Sequence, residues 1–424
     1  MTDDIDVIIV GAGLAGLSAA ATLREQGCRC VVLEAGGRIG GRALTEYPAA
    51  LGHATFDHGA GWLHAAGRNP LVPIARSHGE TLLGSDAARI RHVSLGGRLA
   101  GPEELAAYER AQEVFGRVAG ARAMSEPDVS FTEGIATLAR DPWTGTLINW
   151  EARLIAAADP DDFSLRDWHD NELDGENLVV EGGIGAFVAR RLAPGAGRVE
   201  LNTPVQRLSW ADRVVAETPR GNLQARAAIV TVSTGVLAAR HINFDPALPE
   251  AVLEAVDGLP MGLLTKVAMR VSEAERLGLP ASSSLQRQLA PDEGGMFFQV
   301  RPYGADHVVG FVGGPTAWTL AREGVAAAEA FAREQWRKCL GNSADEVLGA
   351  AVVTQWGTDP TQLGAYAYAR PGRAGARAVL GTPLGDGRLV FAGEAVCVDG
   401  LAGTVGGAWL SGRQAALGVA AALS

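Results

Sequence analysis

Cysteine is sparse: four thiols, Cys28, Cys30, Cys339 and Cys397, stand in 424 residues. So few, with no paired C-x-x-C spacing, exclude a dense disulfide framework and a zinc ribbon, and a reducing, cytoplasmic setting is expected. Basic residues are outnumbered, 37 Lys and Arg against 48 Asp and Glu, and the net charge of -11 argues against a nucleic-acid-binding surface. No segment approaches the ~20 apolar residues of a membrane span, and the C-terminal GVAAALS is too short to anchor the chain. The opening MTDDIDVIIV places two acids where a secretory leader carries its basic region, so no leader is expected. No P-loop or G-x-S-x-G occurs, and His53, His58 and His64 lack zinc spacing with a fourth ligand. Neither NTPase, serine-hydrolase nor metal-dependent chemistry is therefore expected.

What remains is an ordinary globular composition, 47% hydrophobic and 20% charged, in a chain long enough for two or three domains or one interleaved pair. Ile5 to Val10 is a short apolar run, Leu14 to Gln26 has helical spacing, and Arg29 to Leu33 is β-branched again, a β-α-β unit. Strand-like stretches recur at Val199 to Leu208, Ile229 to Val232 and Arg388 to Ala392, the last before a closing helix over Val405 to Leu423. Between them lie the helical, Ala/Glu-rich Pro102 to Arg140 and a mixed segment, Leu263 to Gln355, with a helix over Val325 to Leu340. Dinucleotide-type strands in three separated places imply an interleaved α/β architecture.

Gly11-Ala12-Gly13-Leu14-Ala15-Gly16 follows the first strand and opens the helix, and Glu34 closes the next strand. Gly11 permits the tight turn, Gly13 lets backbone N–H groups reach a pyrophosphate, Gly16 allows close strand–helix packing, and Glu34 can accept from ribose hydroxyls. A bound dinucleotide is expected.

The following run, Glu34-Ala35-Gly36-Gly37-Arg38-Ile39-Gly40-Gly41-Arg42, resembles the second glycine motif of the flavin-containing amine oxidase family. The resemblance extends along most of the chain. Asp57-His58-Gly59-Ala60-Gly61-Trp62-Leu63-His64 is similar to the flavin-proximal loop of the polyamine oxidase branch. Glu181-Gly182-Gly183, Thr203-Pro204-Val205, Phe391-Ala392-Gly393-Glu394 and Gly403-Thr404-Val405-Gly406-Gly407-Ala408 resemble later family motifs. The resemblance implies non-covalent FAD held by Gly11, Gly13, Gly16, Glu34, Ala35, Arg42, Gly59, Ala60, Gly61, Trp62, Val205, Glu394, Thr404 and Val405. Ala365 stands where covalently flavinylated members carry cysteine. The implied fold is an interleaved two-domain flavoprotein, with a Rossmann-like FAD-binding domain over 1–75, 182–256 and 386–424. The α+β substrate-binding domain takes 76–181 and 257–385.

Read alone, Lys266 is a strand lysine on the face of Arg270, opposite Val267 and Met269. The resemblance makes it the family's flavin lysine. Trp356 and Tyr366 resemble the aromatic pair that orients the amine, with Thr404 at the other cage position, where a closed two-tyrosine cage is not expected. His64 matches an active-site histidine of acetylpolyamine and spermine oxidases. The implied reaction turns an amine into an imine and then an aldehyde while O2 becomes hydrogen peroxide, with a polyamine or aliphatic amine favoured. An aromatic monoamine oxidase and an L-amino-acid oxidase are the enzymatic alternatives, and a non-catalytic FAD-binding scaffold is the alternative of another class. The expected partners are a small amine and O2, without nucleic acid or membrane. No acidic cluster can be placed in the substrate channel from sequence.

Overall fold

A computed structural model describes residues 5–85, 90–272 and 278–424. The acids Asp3 and Asp4, read above against a leader, lie outside the described residues, as does the stretch 273–277 of the mixed segment.

Strand Val7–Val10 is buried throughout and sits at the centre of a five-stranded parallel sheet. Across the sheet the order is Leu389–Phe391, Ala227–Val230, Val7–Val10, Cys30–Leu33 and Val199–Glu200. Val7 and Ile9 face helices Leu14–Glu25 and Val405–Leu423, whereas Ile8 and Val10 face Leu208, Trp210 and helix Glu250–Asp257. Burial on both faces explains why these strands read as continuous apolar runs rather than alternations.

The turn into the first helix depends on its glycines. Gly11 has φ of +103°, a conformation that side chains disfavour, and a Cβ on Gly16 would lie 1.9 Å from the Gly11 carbonyl oxygen. The closing helix docks on the first one, with the Ser18 hydroxyl donating to Trp409 O at 2.8 Å.

A second, seven-stranded sheet runs in the order Leu348–Val353, Leu264–Val271, His307–Gly313, Phe297–Val300, Ser283–Arg287, Ile90–Leu95 and Arg98–Leu99. Its pairs are antiparallel except that of Ser283–Arg287 with Ile90–Leu95. Helix Val325–Leu340 covers one face through Trp336, which packs with Phe298, Val267 and Met269. The fold is mixed α/β.

Two elements differ from the sequence reading. Val199 to Leu208 is not one strand: Val199–Glu200 joins the parallel sheet, while Arg207–Ser209 joins a separate four-stranded sheet. Pro204 lies between them and has no N–H for a ladder, which ends the first pairing. Pro102 to Arg140 is one helix only over Pro102–Ala123; after Pro127 the chain restarts at Ser130, whose side chain caps the four-residue helix Phe131–Gly134. Among the described residues no helix is long and apolar enough to cross a membrane, and no group of three His, Cys, Asp or Glu is arranged to hold a metal ion.

Candidate active site

A cavity of about 750 Å³ begins at the carboxyl ends of the central parallel strands, beside Gly11, Gly13, Glu34, Ala35 and Val205. Helix Leu14–Glu25 starts there with Gly13 as its N-cap and no side-chain cap, and a Cβ on Gly13 would meet nothing within 4 Å. The backbone thus opens onto the cavity with the positive end of a helix behind it, as a pyrophosphate requires. Glu34 accepts from Ala12 N and Gly36 N at 2.7 Å each. An ionised carboxylate has about two lone pairs per oxygen, so both oxygens keep capacity for a ribose diol. Every cofactor residue read from sequence lines this cavity except Gly16, which acts in strand–helix packing.

Arg42 and Glu394 were each read as facing the cofactor. The structure joins them to one another across the cavity wall, Nη1 to Oε1 at 2.8 Å, while Arg42 also donates to Ala365 O at 2.8 Å. Arg38 turns to its own loop, donating to Gly41 O at 2.7 Å, with its guanidinium 5.7 Å from the centroid of Trp356.

Lys266 occupies strand Leu264–Val271, opposite Phe311. Although its neighbour Arg270 is exposed, Lys266 is only 5% exposed, because its side chain runs under the 57–62 loop. Its Nζ donates to Asp57 O and Gly59 O, both at 2.7 Å, and stands 5.6 Å from the Trp62 ring and 5.7 Å from that of Phe311. Burial pushes its amine down to about 8, against the pull of Asp57. The loop fits tightly: a Cβ on Gly59 would lie 1.8 Å from Arg42 O, and one on Gly61 would lie 3.4 Å from Lys266 Nζ.

Trp356 is buried and donates its indole N–H to His58 O at 2.9 Å. Tyr366 enters from the two-stranded pair Met261–Gly262 with Tyr366–Ala367 and donates its hydroxyl to Leu154 O at 3.0 Å. Burial, with Glu394 adding to it, pushes its phenol well above the usual range, so it stays neutral. Thr404 lies in the same wall, but its hydroxyl is committed to the fold: it accepts from Gly407 N at 3.0 Å and donates to Leu401 O at 2.7 Å, capping helix Val405–Leu423. His64 lines the cavity, with Nδ1 2.9 Å from Asn177 Oδ1.

Several cavity residues had no signal in the sequence. Glu151 lies in an irregular helical turn, Asn149–Ile155, and Trp168 Nε1 donates to its Oε2 at 3.1 Å. Burial pushes its carboxyl up to about 7, with Glu172 adding to the rise and the Trp168 N–H opposing it. Glu172, Asn171 and Tyr368 line the same cavity. Sequence could place no acidic cluster in the channel; in the structure Glu151 and Glu172 both line the cavity. The run Asp167 to Glu176 offered a partial signal, five acids in ten residues, but one of them, Asp167, is taken up by Arg377 at 2.8 Å through both oxygens.

A mixed α/β fold with a cavity that joins an open glycine turn to a lysine-bearing aromatic chamber defines a flavin-containing oxidoreductase. Residues 14–420 match the flavin containing amine oxidoreductase family, and the chain belongs to that family. It is 32% identical over 446 residues to probable polyamine oxidase 4 of Arabidopsis thaliana, covering 96% of this chain and 86% of that protein. The fold is shared with cyclohexylamine oxidase from Brevibacterium oxydans IH-35A, at a TM-score of 0.81, 24% identity and 99% of both chains. A putrescine oxidase bound to putrescine gives a TM-score of 0.80 at 21% identity over 98% of both chains. The protein is a flavin-dependent amine oxidase.

Proposed function

We propose that this enzyme holds FAD non-covalently and oxidises an extended aliphatic di- or polyamine. The amine loses two electrons and two protons to become an imine, water hydrolyses the imine to an aldehyde with release of the nitrogen as ammonia or the shorter amine, and O2 takes the electrons and protons to become hydrogen peroxide. When bound, the flavin supplies the hydride acceptor. The Gly11 to Gly16 turn, Glu34, Ala35 and Val205 would hold its adenosine and pyrophosphate end. Arg42, Gly59 to Trp62, Glu394, Thr404 and Val405 would hold the remainder. Among the described residues no cysteine lines the cavity, and Ala365 does, which supports non-covalent binding. All four cysteines are free, as fits a reducing, cytoplasmic setting.

The observation that carries the substrate class is that one cavity is lined both by aromatic rings and by carboxyl groups. Around Trp356 and Tyr366 the wall is aromatic and apolar, which favours the neutral amine needed for oxidation and orients it. The same cavity is lined by Glu151 and Glu172, whose carboxyl groups would receive a second, charged nitrogen. The relative named a probable polyamine oxidase and the fold neighbour bound to putrescine agree with this class. An amino-acid oxidase would need a guanidinium for the substrate carboxylate. Among the described residues two arginines line the cavity, and Arg377 is taken by Asp167 while Arg42 is paired with Glu394.

The FAD-binding part is assigned to 1–75, 182–256 and 386–424 and the substrate part to 76–181 and 257–385. In support, every strand of the parallel sheet falls in the first set and every strand of the seven-stranded sheet in the second. The test is kcat/KM, read by peroxide release at one pH, for spermine, spermidine, putrescine, benzylamine and phenylethylamine. The aliphatic substrates should lead by tenfold or more, and an equal lead for the aromatic amines overturns the assignment.

A further inference from the structure

The Lys266 ammonium is held in an unusual way, by two main-chain carbonyls of a loop rather than by side chains alone. Those carbonyls belong to Asp57 and Gly59, so whatever fixes that short stretch of backbone fixes the ammonium. Asp57 is partly buried and is not among the residues that line the cavity. Its carboxylate accepts from the Thr45 hydroxyl, from Ile184 N at 3.1 Å and from Gly185 N at 3.5 Å. Thr45 is itself pinned, opposite Asp57 in a two-stranded ladder and accepting from Ala186 N at 2.9 Å. One carboxylate therefore ties three separate pieces of chain together beneath the carbonyls that Lys266 uses.

We propose that Asp57 is the positioning residue for Lys266: its carboxylate locks the carbonyls of Asp57 and Gly59 around Nζ and supplies the counter-charge to the ammonium. The proposal rests on reading Lys266 as the functional amine of the cavity. Charge supports it from both sides. Asp57 pulls the Lys266 amine up against burial, and Lys266 in turn pulls the Asp57 carboxyl down against burial. The other titratable group facing Lys266 is His58, from the same loop, whose imidazole is pushed down chiefly by burial. Glu46, 2.9 Å away, opposes that push, while Lys266 and Arg38 add to it. The rings of Trp62 and Phe311 close the remaining sides without charge. Replacing the carboxylate with a neutral amide of the same shape should thus leave Lys266 harder to protonate, while an ordinary structural acid would leave its titration where it is.

The chain has two lysines, Lys266 and Lys338, which makes the ammonium directly observable. Lys338 lies on the surface, 2.7 Å from Glu334, and serves as the internal reference. Flavin-loaded enzyme grown on lysine carrying 13C at Cε gives two resonances to follow against pH. In the parent enzyme the Lys266 resonance should titrate near 8, with a second, smaller inflection at lower pH as Asp57, whose carboxyl burial holds above its usual range, gains its proton. In Asp57→Asn the main midpoint should fall by roughly one pH unit or more, while Lys338 does not move. Asp57→Asn with an unmoved Lys266 midpoint overturns the proposal. If that variant does not fold, absence of the lower-pH inflection in the parent enzyme overturns it equally. The functional reading fails separately: Lys266→Met that leaves both flavin half-reactions at parental rates removes the role of Lys266, whatever the titration shows.

Discussion

Lys266 and Glu151 sit in one cavity, and burial works on them in opposite senses. It pushes the amine down to about 8 and the carboxyl up to about 7, in each case by disfavouring the charged form. A cation beside the reacting centre stabilises the negative charge that develops as O2 accepts an electron. Lys266→Met should therefore slow reoxidation by O2 at least tenfold while slowing reduction by amine much less, which stopped-flow measurement of the two half-reactions separates. In the parent enzyme the reoxidation rate should fall as pH rises through about 8 and the ammonium loses its proton. On the proposed diamine reading Glu151 gives the complementary dependence, because it would bind a second ammonium only when ionised. The kcat/KM for putrescine should rise as pH climbs through about 7. Glu151→Gln should cost a diamine at least tenfold in kcat/KM, about 1.4 kcal/mol, and cost a monoamine of equal length less. Stability runs the other way. A carboxyl whose folded value is raised contributes stability that is full below its ordinary range and lost as pH rises through about 7. Glu151→Gln should accordingly melt higher than the parent at pH 8.

At the scale of elements, the first strand, turn and helix carry the sharpest steric demand. A Cβ at Gly16 would lie 1.9 Å from Gly11 O, so neither strand nor helix can keep its place around a larger residue. Gly16→Val should lower stability by about 1–3 kcal/mol or more, and lower bound flavin per chain, read by thermal melting and by absorbance of the purified enzyme. This unit was legible because its signal is local: strand, glycines, helix spacing and acid follow one another within 34 residues. Helices Val325–Leu340 and Val405–Leu423 were legible for the same reason, having the bounds that their spacing implies. Where strand membership depends on a distant partner the reading failed. Val199–Glu200 pairs with Cys30–Leu33, while Arg207–Ser209, a few residues on, pairs with Val214–Thr218 and Asn243–Asp245. Nothing within 199–209 specifies two different sheets except Pro204.

For the molecule as a whole, the cofactor cavity is assembled from segments hundreds of residues apart, and each seam is polar. Arg42 meets Glu394, Lys266 meets the Asp57 and Gly59 carbonyls, and Asp167 meets Arg377 in a fully buried double contact. Such seams hold the walls in register, and on the proposed non-covalent reading no bond to the flavin is needed. Precipitating the loaded enzyme with acid should leave the yellow colour in the supernatant, and flavin retained on the denatured chain would contradict the assignment at Ala365. A ligand bound across these seams and not to the unfolded chain should also make the melting temperature rise with added FAD.

The sequence by itself determined the dinucleotide turn, the acid that follows it, the order of the family motifs and the residue types at Lys266, Trp356 and Tyr366. These are written in short windows, where steric rules for glycine and the spacing of apolar residues act between near neighbours. Tertiary structure alone decided what those residues touch. It turned Arg42 toward Glu394, committed the Thr404 hydroxyl to a helix cap, and closed the 57–62 loop over Lys266. It also brought Glu151 and Glu172 into the wall of the cavity, where sequence could place no acidic cluster. The physical reason is that burial and charge partners are properties of surfaces brought together by folding, and a carboxyl in a helical stretch carries no local mark of which surface it will meet.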